Sequence, residues 1–228
     1  MSIWTRIVEA LSALRAGEGL SVVFDRLASN PERSVGFTIA VIALGAKMAK
    51  ADGQVTRDEV TAFREVFQIA PEDEAKAARI FDMARTDSAG FEAYATQIAR
   101  MLAYDEAVRQ DLLEGLFHIA AADGFYHPAE DRFLHRVAEI FGIDERCFRA
   151  IRARQVPDAE QDPYDVLGIS PDMTMDEMRA RWRALVRETH PDSMIARGVP
   201  EEAVQLATKR MVAINRAWDE ILRERTAA

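Results

Sequence analysis

The sequence predicts an all-α protein, and three observations support that prediction. Apolar residues recur at helical spacing along most of the 228-residue chain, and no stretch alternates convincingly with the two-residue period of a strand. Gly, Pro and Asp residues interrupt the pattern between the predicted helices. An Asp-Gly…Glu pattern occurs twice in the first two thirds of the chain, which indicates two related helical hairpins.

The composition excludes several classes of protein. The net charge of −9 argues against nucleic acid as the main partner, because phosphate binding needs a basic field. The single cysteine, Cys147, excludes intramolecular disulfides and cysteine-rich zinc modules, and we interpret it as an inert core thiol. The longest apolar run, Gly36 to Ala46, is shorter than the roughly 20 residues of a membrane span. Because the N-terminus also lacks signal-peptide features, we expect a cytoplasmic protein without a transmembrane segment.

An N-terminal helical domain is expected over residues 1–153. Its first helix, 2–14, has apolar residues on one side and is expected to dock on its own domain; a membrane-surface or partner-binding helix is the alternative. A short helix near 20–27 follows. The next helix begins after Asn30-Pro31 and is apolar nearly all round, which predicts the buried centre of the domain. Further helices are predicted near 57–68, 72–85, 88–102, 106–121, 128–141 and 144–153.

The repeated turns carry four carboxylates at equivalent positions: Asp52 and Glu59 in the first copy, and Asp123 and Glu130 in the second. An EF-hand loop is excluded because its first and third positions lack oxygen ligands here. Two interpretations remain open. The glycines and carboxylates can end one helix and cap the next, or the four carboxylates can form a divalent metal site shared between the copies.

A helical domain with duplicated Asp-Gly…Glu turns resembles the TerB-like (tellurite-resistance) family, over roughly residues 20–153. The resemblance implies that the acidic positions are suspected metal ligands. It also implies an alternative function for the chain, as a metal-binding or stress-response signalling module.

The C-terminal residues predict a second, smaller helical domain. A short linker, 154–161, leads to residues 162–228, which begin with a short helix closed by Gly168. Thr174 and Glu177 form a capping box for a helix of about 175–189. A last long helix is expected to begin near Pro200. Two long helices joined by a short loop are expected to pack antiparallel, with Trp182 facing Trp218.

The first of these long helices is basic and ends at a proline. Arg179, Arg183 and Arg187 lie on its polar side. Pro191 disfavours helical geometry at the preceding residue, so His190 is expected to be extended. The sequence therefore predicts an exposed His190-Pro191-Asp192 corner beside the arginines, followed by a loop at 193–199.

These features resemble the J domain of the DnaJ family over residues 162–224. The resemblance is carried by Tyr164 and Leu167-Gly168 in the first helix, Trp182-Arg183-x-Leu185 in the second, His190-Pro191-Asp192, and Ile214-Asn215-x-Ala217-Trp218 in the third.

The resemblance implies docking on a DnaK-type chaperone and stimulation of its ATP hydrolysis. Asp192 is suited to a bidentate contact with an arginine of the partner. Pro191 fixes the geometry of the corner, and His190 can lock it or touch the partner. Arg179, Arg183 and Arg187 would steer the helix onto an acidic patch. Because no nucleophile or second titratable group accompanies His190, we expect neither enzymatic activity nor a required cofactor.

The chain also departs from a typical DnaJ. Trp182 and Trp218 stand where tyrosines are more usual, and the longer 195–202 segment looks like that of the DjlA subgroup. Gly/Phe-rich and Cys-x-x-Cys segments are absent, so client binding of the DnaJ kind is not expected. DjlA proteins are membrane-anchored, but this chain shows no N-terminal span, and membrane anchoring is therefore not expected here. We expect a co-chaperone whose N-terminal domain targets an unknown client or adaptor protein.

Overall fold

A computed structural model describes residues 3–12, 23, 33–52, 69, 71, 73–87, 89–103, 105–122, 124–156, 162–200, 203 and 205–227, with backbone alone at 33, 49–52 and 227. The described residues form α-helices and short turns, and none of them lies in a strand, as the sequence predicts. The helices are α1 (Ile3–Ser12), α2 (Arg33–Asp52), α3 (Glu74–Thr86), α4 (Phe91–Met101), α5 (Glu106–Ala120), α6 (Pro128–Phe141), α7 (Glu145–Gln155), α8 (Pro163–Leu167), α9 (Met175–Thr189), α10 (Pro191–Ala196) and α11 (Gln205–Ala227).

The N-terminal domain is built around α2. Every residue from 35 to 48 is buried, and α1, α3, α4, α5 and α6 all pack against this helix. An apolar surface on all sides requires such burial, so the prediction of a central helix is confirmed. Helix α1 buries Ile3, Trp4 and Ile7 in the same core, which confirms docking on its own domain. The predicted helix 57–68, and all but residue 23 of the helix predicted near 20–27, lie outside the described residues.

The second repeated turn connects α5 to α6. Gly124 has a left-handed backbone with φ +81°, a conformation that glycine adopts without strain. Pro128 occupies the first turn of α6, where its missing N–H costs no helical hydrogen bond. This copy therefore forms the predicted helix–turn–helix hairpin. The corresponding turn of the first copy, 53–60, lies outside the described residues.

Helix α7 extends further than the sequence suggests. Arg154 and Gln155 were expected in the linker 154–161, but both belong to α7. Their side chains contact the buried carboxylate of Glu114 in α5, and Val156 is 8% exposed. These contacts hold the end of the helix in the domain, so the linker begins later than predicted.

The C-terminal domain has the predicted three-helix frame. Helix α8 ends at Gly168 with φ +64°, and Glu177 and Thr174 cap α9 reciprocally. The rings of Trp182 in α9 and Trp218 in α11 stack with centroids 5.3 Å apart. Pro171, which precedes α9, accepts a hydrogen bond from Arg225 near the end of α11. The two long helices are therefore antiparallel, as expected.

The segment after His190 differs from the prediction. A loop was expected at 193–199, but α10 occupies Pro191–Ala196. Pro191 takes the first helical position, for which its fixed φ is suited, and the His190 side chain accepts a hydrogen bond from the Asp192 backbone N–H as an N-cap. The chain leaves α10 through Gly198, at φ +93°. Further along, the Ala203 N–H donates a hydrogen bond to the Pro200 carbonyl.

Helix α11 belongs to both domains. Its first part places Leu206 and Ala207 in the N-terminal core, together with Met194 and Val199 from the α10 region. Leu206 Cδ1 lies 3.6 Å from the position that a Cβ on Gly115 would occupy, an ordinary packing distance, so α11 packs directly on α5 at this point. The second part of α11 forms the smaller core with α8 and α9, through Ile214, Ala217, Trp218 and Ile221.

Candidate functional site

The His190–Asp192 segment lies between two helices. His190 has φ −57° and ψ 135°, the extended geometry that a following proline favours, as predicted. Its Nδ1 accepts a hydrogen bond from the Asp192 backbone N–H at 3.2 Å. The side chains of His190 and Asp192 are 56% and 88% exposed. The carboxylate of Asp192 is therefore available to a partner, while the backbone around it is fixed by α9 and α10.

Helix α10 is held against the last turn of α9 by two side chains. Ser193 Oγ donates to the Arg187 carbonyl at 2.9 Å. Both terminal nitrogens of Arg197 donate to the Glu188 carbonyl at 3.1 Å. The carbonyls at the end of a helix have no intrahelical partner, so these donors satisfy them and close the angle between α9 and α10 around Pro191.

The three predicted docking arginines share the outer face of α9. Arg179, Arg183 and Arg187 follow each other at four-residue spacing, which places them on one side of a helix. Arg179 forms an ion pair with Asp176 at 3.3 Å. Arg183 and Arg187 are exposed, and neither forms an ion pair with any residue that the structure describes. The inner face of α9 is buried through Met178, Leu185 and Thr189.

A group of buried charges joins the two domains, and sequence reasoning missed it. Asp111 and Glu114 of α5 are 1% and 0% exposed in their side chains. Arg210 of α11 contacts both, at 2.8 Å from Asp111 Oδ1 and 2.5 Å from Glu114 Oε2. Arg197 Nη2 donates to Asp111 Oδ2 at 2.9 Å. We call these four residues, together with Arg154, the interdomain charge cluster.

Arg154 connects the cluster to α8 as well. Its Nη1 donates to the Val166 carbonyl at 3.1 Å, and its Nη2 lies 3.4 Å from Glu114 Oε2. A cavity of about 410 Å³ borders the cluster between α5, α7 and the C-terminal helices. The cluster was detectable in principle, because Asp111 and Glu114 interrupt an apolar stretch of α5, and a charge on a buried face requires a partner.

The environment of the cluster shifts two pKa values. Burial alone would raise the pKa of the Glu114 carboxyl, but Arg210, Arg154 and the Gln155 amide outweigh burial and lower that pKa to about 2. Burial would likewise lower the pKa of Arg210, whereas Glu114 and Asp111 raise it above its usual value. The carboxylate of Glu114 and the guanidinium group of Arg210 therefore favour the ionised, paired state at neutral pH.

The metal hypothesis gains no support from the described residues. Glu130 Oε2 accepts a hydrogen bond from the His127 backbone N–H at 2.8 Å, which is the capping role. The side chain of Asp52, and both Glu59 and Asp123, lie outside what the structure describes. Within the described part of the chain, no group of three or more His, Cys, Asp or Glu residues could hold a metal ion.

Two further predictions concern Cys147 and membrane spans. The Cys147 thiol is partly buried, and burial raises its pKa to about 11. The thiolate is the reactive form, so this agrees with an inert thiol. Among the helices that the structure describes, none is both long and apolar enough to cross a membrane.

Comparison with known proteins defines the class to which this architecture belongs. Residues 38–153 match the family model "Tellurite resistance protein TerB", and residues 162–227 match the model "DnaJ domain". The chain belongs to the TerB family and carries a DnaJ domain after its TerB domain. Both resemblances found in the sequence are thereby confirmed, in the same order along the chain.

Similar proteins over most of the chain carry the name Co-chaperone protein DjlA. The one from Photobacterium profundum is 28% identical over 224 residues, covering 87% of this chain and 81% of the relative. The one from Coxiella burnetii is 29% identical over 199 residues, covering 78% and 74% respectively. No solved structure matches the chain. The relatives and the DnaJ domain support a co-chaperone function.

Proposed function

We propose that this chain is a co-chaperone whose J domain docks on a DnaK-type chaperone and stimulates its ATP hydrolysis. The observation that carries the proposal is the exposed His190–Asp192 segment, held between α9 and α10 beside the exposed Arg183 and Arg187. Such a surface offers a fixed carboxylate for a charge-assisted contact and a basic face for electrostatic steering. The chemistry would then occur in the partner.

The test is single-turnover ATP hydrolysis by a DnaK-type chaperone, with and without the full chain. We expect the wild type to accelerate hydrolysis and His190→Gln to lose the acceleration, because glutamine removes the ring that caps α10 at Asp192. Asp192→Asn keeps the backbone hydrogen bond and removes only the charge. We expect it to lose stimulation as well.

A matched control is His135→Gln. The His135 side chain is 42% exposed on α6, where it contacts Glu145 at 3.0 Å, and it lies outside the proposed docking surface. It should stimulate as well as the wild type. Equal stimulation by His190→Gln and the wild type, or no stimulation by the wild type, would contradict the proposal.

The N-terminal domain is proposed to bring a client or adaptor protein to the chaperone. Because Met194 and Leu206 complete its core, binding should be tested with the full chain rather than with a truncated domain. We expect the wild type and His190→Gln to capture the same proteins, since the docking surface and the N-terminal domain have separate roles. Loss of the captured proteins in His190→Gln would assign client binding to the J domain instead.

A further inference from the structure

The His190–Asp192 segment is fixed on one side by α9 and on the other by α10, and α10 depends on the N-terminal domain. Met194, in the middle of α10, is fully buried in the N-terminal core. Arg197, at the end of α10, reaches Asp111 in α5. The short helix that carries Pro191 and Asp192 is therefore seated on the other domain.

Arg197 makes two connections at once. Both terminal nitrogens of its guanidinium group donate to the Glu188 carbonyl, two residues before His190, and Nη2 also donates to Asp111 Oδ2. The Asp111 side chain is 1% exposed and that of Arg197 is 19% exposed, so water screens their attraction weakly. A charge-assisted contact of this kind sets both distance and direction.

We propose that Arg197, held by Asp111 of the N-terminal domain, is a positioning residue that fixes the His190–Asp192 segment through α10. This inference rests on the proposed function, and it adds that the TerB domain sets the geometry of the docking segment. The exposed arginines of α9 lie on the opposite side of that helix from Leu185 and Thr189, which face the cavity between the domains. The N-terminal domain thus holds the segment without covering the docking face.

A segment that is already fixed loses less conformational entropy on binding. Loosening it should therefore weaken binding to the chaperone. In Arg197→Gln the contact with Asp111 loses its charge, and α10 is held less tightly against α9 and α5. We expect the half-saturating concentration of the chain in chaperone ATP hydrolysis to rise roughly tenfold, with the maximal stimulated rate unchanged. Because partial unfolding would also raise the apparent half-saturating concentration, that concentration is expressed per folded chain, with the folded fraction of each variant measured by circular dichroism.

The control for this variant is Arg181→Gln. Arg181 also lies beside Glu188, but its guanidinium group meets the side-chain carboxylate at 3.8 Å and both groups are exposed. Arg181 forms no hydrogen bond or ion pair with Asp111, and both are residues that the structure describes. The same change of residue type should leave the half-saturating concentration at the wild-type value.

Amide hydrogen exchange of the chain alone provides a readout that does not involve the chaperone. We expect residues 192–199 to exchange faster in Arg197→Gln and in Asp111→Asn. Glu139→Gln removes a carboxylate from the exposed pair with Arg136 and leaves the contact between Arg197 and Asp111 in place, so it should spare these amides. Exchange that is equal in all variants, or raised as much by Glu139→Gln, would overturn the inference.

Failure of the positioning role can be distinguished from failure of the proposed co-chaperone function. If the wild type does not stimulate the chaperone, the proposed function fails and the exchange data alone decide whether Arg197 fixes the segment. If the wild type stimulates and Arg197→Gln matches it in half-saturating concentration and exchange, only the positioning role fails.

Discussion

Two groups of arginines in this chain have the same chemistry and opposite environments. Arg154 and Arg210 are 8% and 9% exposed in their side chains, and both contact the fully buried Glu114. Arg183 and Arg187 lie on the outer face of α9, exposed and without an ion pair among the described residues. The first group joins two domains, and the second faces solvent beside the His190–Asp192 segment.

Burial determines whether a charge contributes to folding or to binding. A buried charge has lost its hydration and depends on its partner, so removing one member of a pair is strongly destabilising. An exposed charge keeps its hydration and contributes little to folding. It remains available to attract a second protein from a distance. The two groups should therefore respond to different experiments.

The largest effect is expected for Glu114→Gln. Glutamine has nearly the same shape, but it leaves the buried Arg154 without its carboxylate partner and leaves the buried Arg210 with Asp111 alone. Breaking a buried pair from one side costs about 3–5 kcal/mol of unfolding free energy. Urea unfolding followed by circular dichroism at neutral pH measures the loss.

The matched control is Glu139→Gln, which changes the same residue type in an exposed pair. Glu139 contacts Arg136 at 2.7 Å, with both side chains at least half exposed. Its unfolding midpoint should stay near that of the wild type. Equal urea-unfolding midpoints for Glu114→Gln and Glu139→Gln would contradict the claim that only the buried carboxylate contributes strongly to folding.

A slightly smaller change in the unfolding free energy is expected when the pH is lowered. The pKa of Glu114 is lowered from 4.5 to about 2 in the folded chain, so its ionised form is favoured by folding. The corresponding stability, about 3 kcal/mol, is complete above the unfolded-state pKa and is lost as pH falls through the folded-state value. The free-energy difference between wild type and Glu114→Gln should therefore shrink by about 2 kcal/mol between roughly pH 6 and pH 3. A constant difference over that interval would show that Glu114 is not the group responsible.

Much of the fold was predictable because its determinants are local. The Thr174–Glu177 capping box, the closure of α8 at Gly168 and the apolar surface of α2 each depend on residues within a few turns of one another. The extended geometry of His190 follows from the adjacent proline. The exposed docking candidates could be found for the same reason, since they form one face of one helix.

Helix α10 and the interdomain charge cluster were not predicted, for two different reasons. Pro191 was interpreted as the end of α9, although a proline also fits the first turn of a new helix, and the sequence alone does not decide between them. The Asp111–Arg197 contact joins residues 86 positions apart, so nothing near either residue specifies its partner. Their burial depends on how α10 and α11 pack on α5, which is a property of the tertiary structure.

The smallest effect is expected for the two exposed arginines, Arg183 and Arg187. Because both remain solvated, Arg183→Gln and Arg187→Gln should leave the unfolding midpoint unchanged. Each should raise the half-saturating concentration for chaperone stimulation by roughly threefold at low ionic strength, since a steering charge acts mainly on association. The effect should fade toward 1 M salt, where the Debye length is about 3 Å.

The Arg223→Gln variant distinguishes electrostatic steering by the outer face of α9 from an effect of the net charge of the chain. Arg223 is exposed on α11, and its replacement changes the net charge of the chain by the same amount without touching the outer face of α9. If only the α9 variants weaken stimulation, and only at low salt, the attraction depends on where the charges lie. If Arg223→Gln weakens stimulation equally, the arginines of α9 act only through the overall field of the protein, and the exposed group loses its assignment as a docking surface. The buried group would keep its role in either case, because its effect is measured on the folding of the chain alone.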